Sequence, residues 1–470
     1  MKSKFAAFIL LFAAVFVLAS CLSNDDDYTY YDDSAITSFS VTTGNQTLSV
    51  KTASGKDSLV TNTLTLSSYK FYIDQQKCEI YNPDSLPCGV DASRLLCSVS
   101  SQNGGSVLMK SRTSDSLAYV SSTDSLDFST DRVLCVYSNS GMGVRQYTVK
   151  VNVHKELPDT FVWNAMPDCE ALKSLRAVKA VSLGDAMLLF GTDGTRTSVF
   201  AGGSNGWTAV PTDMVLSADA YEGVVVKGGQ AYISNSGDIL STTDGSHWTT
   251  VAAATGIARL VAASSVRLYG YATDGHLMAS DDSGLTWTAA TIDDDQALLP
   301  AKSTAYATLP VKTNSQTERV VLIGTRDAAL YPADTTMTVW SKIDEAANNS
   351  ENMPWAYYAV DPANTHCAPL LANFSAIAYD GNVLLFGTKD GETVPTILQS
   401  RDSGITWNTY SKLDVPYGYG LGMTANSAAC YALAANSRNV LWLVNAASGK
   451  TWCGRICRLG WQDEQTDFKK

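Results

Sequence analysis

This chain is poor in the residues that most enzyme chemistry uses. Its 470 residues hold four histidines, His154, His247, His276 and His366, set far apart. Neither a zinc cluster nor a Ser-His-Asp arrangement finds its material there. No Cys-x-x-Cys pair, Walker loop or Rossmann fingerprint occurs, which removes the common zinc, nucleotide and dinucleotide sites. Basic residues are also scarce. Lys and Arg total 34 against 46 Asp and Glu, for a net charge of −12 and a pI near 4.8. Nucleic acid and anionic lipid both demand a basic face, so neither is an expected partner. No run of eighteen apolar residues exists to cross a bilayer as a helix.

What is present begins with an address. Lys2 and Lys4 precede an unbroken apolar stretch from Phe5 to Leu18. Those 14 residues are short for a hydrocarbon core of ~30 Å and read as the core of a signal peptide, residues 1–20. The stretch ends Leu18-Ala19-Ser20-Cys21, a branched apolar residue, two small ones and a cysteine. That order matches the bacterial lipobox, in which the Cys21 thiol would take a diacylglycerol and the freed amine a further acyl chain. Two or three chains at ~0.8 kcal/mol per buried methylene anchor a protein stably. The partner implied is then the outer membrane, reached through lipid. Residues 21–34, with Asp25-Asp26-Asp27 and Asp32-Asp33, read as an acidic tether. An acidic run so close to the lipid cysteine resembles the export signal of Bacteroidetes surface lipoproteins. Exposure at the cell surface is the expectation, with the periplasmic face as the alternative.

Lipidation of Cys21 leaves nine cysteines at irregular spacing. An odd, scattered set is no disulfide framework, and free buried thiols packing as small apolar groups are expected. Residues 35–155 read as about seven short strands parted by Gly, Asn and Pro turns. The clearest is Arg145–Val153, apolar at every second position. This spacing predicts an immunoglobulin-like β-sandwich. A charged, Pro-containing linker, Lys155-Glu156-Leu157-Pro158-Asp159, ends it.

Beyond the linker, over residues 160–463, apolar strands recur, each followed by a shorter strand and then a tryptophan. Trp207, Trp248, Trp287, Trp340, Trp407 and Trp452 are separated by 41, 39, 53, 67 and 45 residues. Blades of four short strands need ~40–50 residues. The whole chain therefore reads as all-β: an Ig-like sandwich followed by a β-propeller of six blades, or seven if the longest gap hides a degenerate one. Phe161-Val162-Trp163 is the expected strand that closes the ring against the last one.

One eight-residue phrase appears twice without fault: Ser280-Asp281-Asp282-Ser283-Gly284-Leu285-Thr286-Trp287 and Ser400-Arg401-Asp402-Ser403-Gly404-Ile405-Thr406-Trp407. Asp282 and Asp402 suit an Asx turn, and Gly284 and Gly404 a positive φ. Trp287 and Trp407 would close the hairpin as apolar lids. The phrase resembles the Asp-box family of propellers, and that resemblance implies a turn between a blade's third and fourth strands. Other copies decay. Ser241–Trp248 has Thr243 where the aspartate belongs. Asn445–Trp452 keeps Gly449, Thr451 and Trp452 without it. Little but the ring survives at Trp340 and Trp207. Loss of the carboxylate with retention of Gly and Trp fits a structural staple better than an active site.

Asp-box propellers include sialidases, and that resemblance would bring an arginine triad, an early Arg-Ile-Pro, a general acid and a Tyr–Glu nucleophile. Arg-Ile-Pro is missing, and no pair of carboxylates stands out for glycoside hydrolysis. Asp293-Asp294-Asp295 reads as a solvated turn. No metal, cofactor or catalytic residue is expected. The candidate binding groups are aromatic: Trp355, Tyr357 and Tyr358 after Pro354, and Tyr417 and Tyr419 among glycines. Such rings stack on sugars or anchor proteins when exposed, and pack between blades when not. The string Ile80–Pro87 resembles the cadherin-like N-terminal modules of Bacteroides lipoproteins, and Trp452–Trp461, with the Ig-like front half, resembles a family of Bacteroides lipoproteins of unknown function. The expectation is a lipid-anchored binding or assembly module for a glycan or a partner protein, with a divergent glycoside-processing enzyme as the alternative. Cys21→Ala is predicted to release the protein from the membrane fraction. Retention of this variant in washed membranes would show that the lipid is not the anchor.

Overall fold

The computed structural model describes residues 29–51, 57–311, 313–345, 353–360, 363–390, 392–410, 412–413, 415–416 and 430–457. Cys21, the residues 1–20 expected to form a signal peptide, Tyr417 and Tyr419 lie outside them. The described residues are strands joined by turns and a few single-turn 3-10 segments, with no α-helix among them. They fall into two compact units that part between Pro158 and Asp159.

In the first unit, Asp57–Thr65, Ile36–Lys51 and Val90–Ser101 make a three-stranded sheet, and six shorter strands make a second. Phe39, Val41 and Leu95 from the first sheet share one core with Leu134, Val136, Tyr147 and Val149 from the second. Alternation explains the partition: in Val144–Lys150, Tyr147 and Val149 are buried and their neighbours are not. One pairing was not legible in the sequence. Glu79–Tyr81 runs parallel to Thr148–Lys150, and Asn82 then accepts from the Asn152 N–H at 2.7 Å.

Among the described residues, the second unit holds six four-stranded antiparallel sheets. Five are built from consecutive strands. The sixth takes three strands from the end of the unit and its outer strand, Phe161–Ala165, from the beginning. There Phe161 faces Ile456, Trp163 faces Gly454 and Ala165 faces Trp452. The first strands of the six sheets are Ala177–Leu183, Val225–Lys227, Ile257–Ala263, Ser303–Val311, Leu371–Tyr379 and Tyr431–Ala435. Each touches the next and the last touches the first, so they form a closed cycle. These strands are rich in alanine, since converging backbones leave room for little else.

Six apolar cores fill the six seams between neighbouring sheets. Each seam receives one tryptophan from the head of a sheet's outer strand, packed against the sheet before it. Trp207 enters the seam between the first and sixth sheets, Trp248 that between the second and first, and Trp287 that between the third and second. Trp355, Trp407 and Trp163 do the same for the fourth, fifth and sixth sheets. Two of the expected anchors are therefore corrected. Trp340 and Trp452 belong to third strands, and the anchors of their sheets are Trp355 and Trp163.

The two perfect phrases are turns between third and fourth strands. In the first, the buried Ser280 hydroxyl donates to Asp282 Oδ1 at 2.8 Å and accepts the Gly284 N–H at 2.7 Å. Asp282 accepts the Thr286 N–H at 2.9 Å and its hydroxyl at 2.6 Å. The Thr286 hydroxyl and N–H hold the Asp282 carboxyl down at about 2. The Trp287 indole donates to the Gly284 carbonyl at 3.1 Å. Ser400, Asp402, Gly404, Thr406 and Trp407 repeat every one of these bonds within 0.1 Å. Gly284 and Gly404 have φ of 102° and 108°. A Cβ on them would sit 2.9 Å from Ile239 and Val339 of the preceding sheets. The tryptophans are thus plugs between sheets, where lids over their own hairpins were expected.

The copy at Trp248 is better kept than its spacing predicts. Asp244, one residue later than expected, accepts the His247 N–H at 2.9 Å and meets its ring nitrogen at 2.7 Å. Thr242 stands in for the serine and accepts the Gly245 N–H at 2.9 Å. One residue between Asp and Gly is deleted and the carboxylate stays. The stretch Asn445–Trp452 is instead a turn between second and third strands, so it is no counterpart of the box. Trp355→Ala is predicted to lower stability to urea by about 3–5 kcal/mol, as for other buried tryptophans. Loss of Tyr119, 74% exposed, should cost less than about 0.5 kcal/mol.

Candidate functional site

Of the aromatic candidates, Trp355 is fully buried. Its ring meets Tyr269 edge-on at 5.0 Å, and its backbone pairs with Ile292. It cannot stack on a ligand, because it opens an outer strand and fills a seam. Tyr357 and Tyr358 are half-buried. Tyr357 lies 5.2 Å from the Trp340 ring, and the Tyr358 hydroxyl accepts from Arg319 at 3.1 Å. The packing alternative holds for all three. The acidic run is occupied with backbone: Asp293 accepts the Tyr357 N–H at 2.9 Å, and Asp295 the Ala297 N–H at 2.9 Å. The string Gly202-Gly203-Ser204-Asn205-Gly206 matches the nucleophile-elbow spelling. It joins two strands and lacks the helix such an elbow needs.

The concave site lies elsewhere. The first strands of all six sheets surround a central channel of about 550 Å³. Much of its wall is short, including Ala177, Ala180, Ser264, Ala307, Ser375 and Ala434. Against that wall stands a charged cluster on one side. Lys179, on the first sheet's inner strand, donates to the Glu222 carbonyl at 2.8 Å. The Glu222 carboxylate accepts from Arg259 of the third sheet at 2.9 Å and from the Tyr221 hydroxyl at 3.3 Å. Arg259 also donates to the carbonyls of Lys302 and Ala301, at 2.7 and 3.2 Å. Glu318 accepts the Ser265 N–H at 2.7 Å. The Tyr306 hydroxyl accepts the Val226 N–H at 2.9 Å, and its burial pushes it up to about 12.

Lys179 is half-buried on the channel wall. Burial, with Arg259 nearby and only partial relief from Glu222, brings its ammonium down to about 7. None of this cluster was foreseen from the sequence. The available signal was a lone basic residue inside an apolar inner strand, as in Ala177-Val178-Lys179-Ala180-Val181 and Ile257-Ala258-Arg259-Leu260-Val261.

Six sheets arranged in a ring about a channel define a β-propeller. Residues 157–464 match the DUF6242 beta propeller domain, and residues 39–151 match the N-terminal domain of the same family of unknown function. The chain belongs to the DUF6242 family. No curated protein matches it. Among solved structures it is similar to a protein of unknown function from Bacteroides thetaiotaomicron, at 11% identity and a TM-score of 0.43, over 82% of this chain and 98% of that one. It is also similar to YCF48 from Cyanidioschyzon merolae, at 14% identity and 0.33, over 62% and 98%. A family 117 glycoside hydrolase from Zobellia galactanivorans resembles it at 11% identity and 0.28, over 64% and 91%.

The Lys179 shift sets a pH dependence of stability. Its folded value lies below that of an unfolded lysine, so between pH 7 and pH 10 the unfolded chain binds the proton more tightly. Stability from this group therefore rises with pH across that window, and the full penalty applies below it. Lys179→Met is predicted to raise the Tm at pH 6, with a gain that shrinks toward pH 10 in calorimetric scans.

Proposed function

We propose that this protein is a lipid-anchored, cell-surface binding or assembly module. In this reading an Ig-like domain precedes a six-bladed propeller, each four-stranded sheet being one blade and each boxed turn an Asp-box staple. The propeller engages a glycan or a partner protein and performs no catalysis. Cys21 carries the lipid, the acidic tether gives reach, and the outer membrane is the surface to which the module is held.

One observation carries the binding reading: both glutamates among the described channel-lining residues are already engaged. Glu222 is held by Arg259 and Tyr221, and Glu318 by a backbone N–H. Glycoside hydrolysis needs two carboxylates free to face a substrate. A channel with short walls and a polar cluster on one side is instead the shape of a receptor site, in which a few fixed groups orient a ligand. The test uses the purified mature chain on a glycan array and in hydrolysis assays on the same glycans. Retention without turnover is the expected result. Turnover that survives purification and disappears in Glu222→Gln or Glu318→Gln would replace this reading with the glycoside-processing one.

A further inference from the structure

The channel cluster is short of one negative charge. Lys179 and Arg259 bring two cations, and Glu222 one carboxylate, which both Arg259 and Tyr221 already use. Lys179 is left with a backbone carbonyl. An ammonium has three N–H donors, and among the described residues the other two meet no acceptor in the protein. The remaining charged lining does not repair this. Lys227 donates to Ser283 at 2.9 Å and Glu318 accepts from Ser265, so these two offset each other. The other titratable groups of the lining are Tyr221, Tyr306, Cys430 and Tyr431. Burial raises all four, so they stay neutral at neutral pH and supply no anion. A protein with a net charge of −12 thus keeps, in this channel, a cluster that is positive once Lys179 is protonated.

A cluster lacking one charge, with unused donors on the channel wall, is matched by a single negative charge spread over two acceptor oxygens. We infer that the channel binds a carboxylate beside Lys179 and Arg259, and that the ligand is a sugar acid of the uronic type. This rests on the glycan-binding reading above and names the class of sugar. A carboxylate fits better than the phosphate dianion, which would exceed the missing charge by one. The short side chains of the wall, Ala307, Ser375 and Ala434 among them, leave room for the sugar ring, and neutral sugars lack the group that completes the site. Because the amine is held near neutrality in the empty channel, binding must draw a proton onto Lys179. Occupancy and pH are therefore linked.

The experiment is calorimetric titration of the mature full-length chain with D-glucuronate, D-glucose and inorganic phosphate, from pH 6 to pH 9. Glucuronate is expected to bind and glucose not. Affinity for glucuronate should fall about tenfold per pH unit above pH 7, with proton uptake seen as a dependence of the heat on buffer. Lys179→Arg keeps the cation but cannot titrate, and should bind with that pH dependence abolished. Lys179→Met should weaken binding at least tenfold at pH 6. In the native chain, acetylation of Lys179 followed by mass spectrometry should drop when glucuronate saturates the channel. Glucuronate that fails to bind at pH 6, or binds Lys179→Met as tightly as the native chain, overturns the inference. So does phosphate binding more tightly than glucuronate. Retention of neutral glycans on the array with no glucuronate binding overturns the sugar-acid assignment alone and leaves the binding reading standing. Failure of every glycan overturns the sugar-acid assignment and the glycan form of the binding reading together, and leaves a protein ligand as the reading.

Discussion

A sheet in a ring has two apolar faces, and each must be covered by a neighbour or lost to water. Here the cover is made tight in every seam by an indole sent from the head of an outer strand into the sheet before it, and three seams hold a second indole, Trp340, Trp442 or Trp452. A tryptophan buries more area than any other side chain, and a seam between twisted sheets widens toward the rim, where the largest filler is needed. The boxed turn serves this plug. It fixes the backbone just before the ring, while its glycine lets the turn press within van der Waals distance of the previous sheet. Everything closer to the axis follows from that spacing, including the channel and the groups that face it.

The outer rim and the inner wall are built under opposite constraints. At the rim there is space, so large rings and hydrogen-bonded turns fill it. Near the axis there is almost none, and alanine and serine dominate. A lysine or an arginine on such a wall stands out chemically because its neighbours are too small to screen it. Desolvation then acts on Lys179 with little to oppose it, which is why the same residue type that is ordinary on the surface titrates near neutrality here.

Much of the architecture was legible because it is periodic. The alternation of the strands, the spacing of tryptophans and the literal repeat all mark a ring of small sheets. The failures came where insertions and deletions disturbed the period. The long segment before Trp355 made Trp340 look like the anchor, and that freed Trp355 to be mistaken for a ligand-facing ring. A one-residue deletion displaced Asp244 from its expected place, although its hydrogen bonds persist. The channel cluster was illegible for a different reason. Lys179, Glu222 and Arg259 lie on three elements far apart in sequence, and only closure of the ring brings them together. No spacing rule reports such a meeting.

The sixth sheet joins Phe161–Ala165 to Lys450–Ile456. This arrangement imposes an order on biogenesis. A chain made from its N-terminus holds Phe161–Ala165 as an unpaired edge until nearly three hundred further residues have been synthesised. Through that interval the apolar inner face of Trp163 has no partner, and the channel has no sixth wall. The partner strand is missing throughout this wait, and a ribosome that stalls before residue 450 leaves an open arc in place of a ring. Such an arc exposes two raw edges ready to pair with other chains, so incomplete synthesis of this fold carries an aggregation hazard that complete synthesis removes in its last step.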